Sequence, residues 1–304
     1  MYVADMHCDS LHFVSAERGL VTPYNISKSY PSLQFFAHFS RAEGKTPEER
    51  RARLMKSLNV YLYECERLGI FKVTTSRDVF DALDSKGKSA VFSIEGGGGL
   101  FADSPELDTL YRAGLRILGM AWDKNELSAS AFDNEDDTGL TDEGRKMLAR
   151  CAQLGITLDL SHLSDRAFWE AFELSPMPHI ATHSNFREVT PHRRNLTRDM
   201  ALAIANRGGI IGINIYPNFI SDTGEPRIED ATRHIDYGLE LVGEDALGFG
   251  FDIDGTYGKY PIGVDEQSSI HDRLIDLLLS RYSASTVEKI AGLNVMEFLK
   301  DNLV

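Results

Sequence analysis

Cysteine is scarce in this chain, with three among 304 residues: Cys8, Cys65 and Cys151. They are too few and too scattered for a disulfide framework, and no CxxC pair suggests a structural zinc. Basic residues are also in deficit, 32 Lys and Arg against 46 Asp and Glu, for a formal charge of −14. Nucleic acid and anionic membrane surfaces recruit clustered Lys and Arg, so this balance argues against both as partners. No stretch approaches the roughly 20 apolar residues of a membrane span. A secretion signal would need a basic segment and an apolar run before a cleavage site, whereas here the first strand-like segment opens the chain. These absences lead to an expectation of a cytoplasmic protein without a membrane anchor. Linkers, repeats and low-complexity tracts are missing too, so residues 1–304 read as one domain.

What is present is a large apolar fraction and a regular alternation of segments. A hydrophobic content of 42% can build an extensive core. Strand-like segments fall at residues 2–8, 71–75, 90–95, 116–122, 156–161, 179–183, 209–216 and 247–252, eight in all. Helical patterns lie between them. The clearest begins at Thr46-Pro47-Glu48-Glu49, where Thr46 can cap, Pro47 suits the first turn and Glu49 completes a capping box. Leu54, Leu58, Leu62 and Cys65 then recur along one face. Strands alternating with helices of this length predict parallel βαβ units and an α/β fold, a single (β/α)₈ TIM barrel that uses nearly the whole chain. Irregular stretches at 9–45, 123–142 and 217–226 would be lids over one end.

Metal-binding side chains stand where those strands end. His7 and Asp9 are at i and i+2 on the first, Glu95 closes the third ahead of four glycines, and His162 and His183 close two successive later strands. On a strand, positions i and i+2 face the same way. In a barrel, strand C-termini converge on one face, so ligands far apart in sequence meet there. Each motif alone reads as readily as an ordinary polar strand end. Together they offer five nitrogen and oxygen ligands, suited to one or two borderline ions such as Zn²⁺. Two ions sharing a bridging carboxylate would use all five and leave room for a bridging hydroxide. Glu95 is the acidic ligand without a paired neighbour, and so the expected bridge.

Two more elements complete the expected site. Asp252 and Asp254 end the last strand, and Asp252 could take a proton from the nucleophilic water and pass it to a leaving amine. Asp254-Gly255 is a strong turn dipeptide, so Asp254 is assigned to the turn. Arg187, His192, Arg193 and Arg194 follow His183, and a guanidinium beside such a centre suits a substrate carboxylate.

The motifs HxD, VFSIEGG, GLTDEGRKMLARCAQLGITLDLSHLSD, THSNFREVTPHRRNL, GGIIGINIYPNF and GFGFDIDG together resemble the membrane (renal) dipeptidase family, the M19 metallopeptidases of the amidohydrolase superfamily. The resemblance runs from Asp5 to about Leu299. It implies a two-zinc barrel hydrolysing dipeptides, D-residues at the C-terminal position included. His7, Asp9 and Glu95 would hold one ion, and Glu95, His162 and His183 the other. Arg194 would bind the substrate carboxylate, and Asp252 would shuttle the proton. The chain departs from the pattern at Trp122, which stands where mammalian members have a substrate-contacting histidine; an indole can donate a hydrogen bond but carries no charge. The mammalian secretion signal and lipid-anchor tail have no counterpart, which suggests a bacterial member. A homodimer is compatible with this reading. Two alternatives stay open: an amidohydrolase acting on another small amide or a lactone, and a barrel that only binds. The second is disfavoured because all five ligands and Asp252 are in place.

Overall fold

The computed structural model describes residues 1–11, 31–41, 45–84, 87–132, 137–256, 258–264 and 270–304. Eight parallel strands form its sheet: β1 (Ala4–Cys8), β2 (Leu33–Phe39), β3 (Phe71–Lys72), β4 (Ser89–Glu95), β5 (Leu115–Gly119), β6 (Thr157–Asp159), β7 (Ile211–Ile213) and β8 (Leu247–Phe249). The hydrogen-bonded order is β6-β5-β4-β2-β1-β8-β7, with β3 paired to the start of β4. The gap between β6 and β7 is bridged by residues 180–181, which pair in parallel with Asp159 on one side and Ile211 on the other. The sheet is thereby a closed ring, and one with no free edge needs no edge protection.

Two of the eight expected staves differ from the sequence reading. Residues 71–75 yield only the two-residue, exposed β3. The second stave is instead β2, in a stretch expected to be irregular; it runs in register with β4 from Leu33 opposite Ser89 to Phe39 opposite Glu95. Residues 179–183 take a stave position but make isolated bridges rather than a continuous ladder. The expected lid at 9–45 therefore contains a barrel strand, and 12–30 and 42–44 lie outside the described residues. In the 217–226 stretch, Pro217–Ile220 is a short helix.

The long helix Pro47–Leu68 starts as expected. Thr46 accepts from the Glu49 backbone N–H at 3.3 Å, the Glu49 carboxylate accepts from the Thr46 N–H at 2.9 Å, and Gly69, at φ 66°, ends the helix. Its buried stripe is Leu54, Leu58, Tyr61 and Cys65. Tyr61 rather than Leu62 fills the third place because the helical repeat of 3.6 carries the stripe there. Leu33, Phe35, Val91, Ile117 and Ile180 cluster with Val295, Met296 and Leu299 of the last helix, which ties the strands to the chain's end.

Candidate metal centre

The C-terminal ends of β1, β4 and β6, with the 180–183 stave, bring all five expected ligands together, each buried. His7 and Asp9 face the centre, while Cys8 between them turns into the core. Glu95 Oε1 lies 2.7 Å from His162 Nε2, 3.1 Å from His183 Nε2 and 3.6 Å from His7 Nε2. His7 Nε2 is also 3.8 Å from Asp9 Oδ1 and 4.0 Å from Asp252 Oδ1. Two overlapping groups have the reach to hold an ion: His7, Glu95 and His183, and His7, Asp9 and Asp252.

Buried polar groups without partners are costly and call for an explanation. His7 Nε2, Asp9 Oδ1 and Glu95 Oε2 are buried here with no hydrogen-bond partner, and all three belong to this cluster. His162 and His183 place their Nε2 atoms 3.0 Å apart. Burial pushes His162 down to about 4 and His183 well below the usual histidine range, which keeps both neutral, the form that ligates metal. Burial opposes a charge on His7, but Glu95 and Asp9 outweigh it and raise His7 to about 10. Burial and the neighbouring Glu95 push Asp9 well above the carboxylate range, and burial lifts Asp252 to about 7. Crowded carboxylates beside the two neutral imidazoles of His162 and His183 suit divalent cations.

The ligands are aimed by groups the sequence reading did not single out. Thr182 Oγ1 lies 2.8 Å from His183 Nδ1 and 3.5 Å from His7 Nδ1, and donates to Asp159. Asp159 Oδ1 also accepts from the Thr182 and Ser161 backbone N–H groups, at 2.9 and 3.0 Å. Asp5 accepts from the His7 N–H at 3.0 Å and pairs with His271 at 2.8 Å. Asn214 Nδ2 donates to Asp252 Oδ2 at 3.2 Å. The available signal was that Asp159 precedes His162 at a strand end and Asn214 sits in GINIYPNF; the contacts needed the fold.

Backbone strain concentrates in the same place. Among the described residues, the non-glycine residues with left-handed backbone are His162 (φ 68°), Asp252 (φ 61°) and Asp254 (φ 69°). A β-carbon on Gly255 would fall 2.0 Å from Asp252 Oδ1 and 2.4 Å from Asp9 Oδ2, so the turn must carry glycine to leave those carboxylates room. Asp254 serves the turn as expected, its carboxylate accepting from Ser10 Oγ at 2.7 Å and its backbone N–H donating to the Tyr260 hydroxyl oxygen at 3.0 Å.

Only one of the candidate basic residues enters the cluster. Arg194 is buried and donates to Ser184 Oγ and the His183 carbonyl at 3.1 Å each, while its Nε has no partner. Arg187 is instead held by Asp165 through two 2.8 Å bonds, Arg193 is exposed, and His192 packs 4.7 Å from Phe219. Trp122 forms an aromatic wall with Phe39 and Phe132, each 5.1 Å away, and its ring lies 5.9 Å from His162.

The sequence model of the membrane dipeptidases, peptidase family M19, matches residues 17–303. The chain belongs to the membrane dipeptidase family. It is accordingly a metallo-dipeptidase, and the family implies metal ions and a small peptide substrate. The match begins after His7 and Asp9, short of the Asp5 start expected from the motifs. Among relatives of this M19 chain, the dipeptidase tcpJ of Claviceps purpurea is 29% identical over 227 residues, which are 74% of this chain and 53% of that protein. This chain thus spans about half the length of that relative. The solved structure of dipeptidase AC, an M19 metallopeptidase, superposes with a TM-score of 0.90 at 25% identity, covering 100% of this chain and 99% of the other. A Rhodobacter sphaeroides metallopeptidase liganded with a phosphinate mimic of L-Ala-D-Ala shares the fold, at a TM-score of 0.89 and 24% identity over 100% and 99% of the two chains. Among the described residues, no helix is long and apolar enough to cross a membrane.

Proposed function

We propose that this chain is a zinc-dependent dipeptidase cleaving small dipeptides with a free C-terminal carboxylate, those ending in a D-residue included. Two zinc ions would share Glu95, with His7 and Asp9 completing one position and His162 and His183 the other. The observation that carries this reading is the convergence of three imidazole Nε2 atoms on one carboxylate, with orphaned polar atoms of His7, Asp9 and Glu95 beside it. When bound, zinc supplies polarisation of the scissile carbonyl and a hydroxide nucleophile at neutral pH.

The protein's own residues divide the remaining work. Arg194, held by Ser184 and the His183 carbonyl, would receive the substrate carboxylate and fix the peptide over Glu95. Asp252, its second oxygen held by Asn214, would accept the proton from the nucleophile and return it to the leaving amine. Trp122 would replace a charged contact with a flat apolar wall, so it selects by shape.

The test is steady-state hydrolysis by metal-stripped and zinc-reloaded protein, using L,L and L,D dipeptides, N-acyl amino acids and lactones. Zinc-dependent cleavage with the highest kcat/KM on dipeptides is expected. Faster turnover of N-acyl amino acids or lactones than of any dipeptide would overturn this assignment in favour of another amidohydrolase activity.

A further inference from the structure

Thr182 is buried beside His183, and its hydroxyl has one proton to give. The Asp159 carboxylate takes it: Oδ2 accepts from Thr182 Oγ1, while Oδ1 accepts the Thr182 backbone N–H at 2.9 Å and the Ser161 N–H at 3.0 Å. With its proton committed, the Thr182 oxygen can only accept from its other neighbours. These are His183 Nδ1 at 2.8 Å, and His7 Nδ1 and Ser161 Oγ at 3.5 Å each. Backbone packing holds the threonine in place as well. A β-carbon on Gly212 or Gly250 would fall 2.0 or 1.7 Å from the Thr182 carbonyl oxygen, so the chain carries glycine at both places where it closes on that atom.

A metal-binding imidazole is neutral and carries one N–H, and the partner of one ring nitrogen decides which nitrogen bears it. His183 faces two acceptors, Thr182 Oγ1 at 2.8 Å from Nδ1 and Glu95 Oε1 at 3.1 Å from Nε2. One proton cannot serve both. Placed on Nδ1 it satisfies the shorter contact, and Nε2 then turns a lone pair toward Glu95, the arrangement that a cation shared with that carboxylate needs. His7 repeats the geometry at longer range, with Thr182 3.5 Å from Nδ1 and Glu95 3.6 Å from Nε2. One hydroxyl thus reaches an expected ligand of each ion.

We propose that Thr182 is a positioning residue of the metal centre: its hydroxyl, committed to Asp159, fixes the Nδ1–H form of His183 and, by the longer contact, that of His7, so that both present Nε2 to the ions. The inference rests on the two-zinc reading above. A role confined to tying β6 to the next stave would use only the bonds to Asp159, and losing it would lower stability without changing the zinc affinity of the folded protein.

The test measures zinc affinity by competition with a chromophoric chelator for the wild type, Thr182→Val and Thr182→Ser, alongside the urea midpoint of each. Valine keeps the branched shape without the hydroxyl, and serine keeps the hydroxyl. Removing the outer partner of a ligating histidine costs about 10–100-fold in metal affinity, so Thr182→Val should bind zinc about tenfold or more weakly, while Thr182→Ser should stay close to the wild type. Folded Thr182→Val that binds zinc as tightly as the wild type would overturn the proposal, as would Thr182→Ser that binds no better than Thr182→Val. A second measurement needs no substitution at Thr182. Nitrogen NMR spectra of the metal-free wild type with isotope-labelled histidine, in which His183 is assigned by comparison with His183→Gln, should show the proton on Nδ1 of His183 and none on Nε2; the opposite tautomer would equally overturn the proposal. A wild type that binds no zinc at all would remove the two-zinc reading, and the positioning role with it.

Discussion

Asp252 and Arg194 occupy one buried cluster, and the roles proposed for them differ in stage, so their substitutions should separate. A proton acceptor works mainly in the transition state, so Asp252→Asn should lower kcat by about 10²-fold or more, with a smaller change in KM. The carboxylate contact proposed for Arg194 would be made in ground and transition states alike, so Arg194→Ala should mainly raise KM, at a cost of about 1.5–3 kcal/mol. That cost should largely vanish for C-terminally amidated dipeptides; an equal loss on free and amidated substrates would show that Arg194 reads no carboxylate. The convergence of Asp252 and the five expected ligands was legible in the sequence, because each stands at the end of an apolar strand where a barrel gathers side chains; Arg194, in the loop after His183, was expected only from the family resemblance. Asp159, Thr182 and Asn214 were not, because what they do depends on contacts across staves. The left-handed backbone at His162 and Asp252 was equally hidden, since nothing in either residue type demands it.

At the scale of elements, histidine again marks a vulnerable point away from the metal centre. His234, on the helix Asp230–Val242, accepts the Phe186 N–H at Nδ1 (3.3 Å) and lies 3.2 Å from the Ile220 carbonyl at Nε2. This is a neutral tautomer fixing two loops, and a second proton would have to displace the Phe186 donor. Burial accordingly lowers His234 to about 4. Because the folded value lies below the unfolded one, the stability it confers is complete above about 6.5 and is lost as pH falls toward 4. Urea midpoints should therefore drop over that window. His234→Phe should flatten the slope by about one proton while costing about 1–3 kcal/mol at pH 7 through the orphaned Phe186 N–H. An unchanged slope would mean that His234 does not titrate with unfolding. The helix Pro47–Leu68 was legible down to its cap, since its signals are local. Strand β2 was not, because LQFFAHF is a short apolar run that periodicity alone does not type, and only its pairing with β4 over seven registered residues defines it.

For the whole molecule, closure is the governing fact: β8 from the last quarter of the chain pairs with β1 from its beginning. Neither end of such a ring is satisfied alone, so we propose that residues 1–304 unfold as one unit. Far-ultraviolet circular dichroism and the fluorescence of Trp122 and Trp169 should give one coincident transition; two separated midpoints would contradict this. Ring closure also brings the ligands together, and the central claim is that they hold two ions across Glu95. The most direct measurement is anomalous scattering at the zinc edge from crystals of zinc-saturated protein, beside the Glu95→Gln variant. Two peaks flanking Glu95 in the wild type, both weakened in the variant, are the predicted result; a single peak in the saturated wild type would contradict the account.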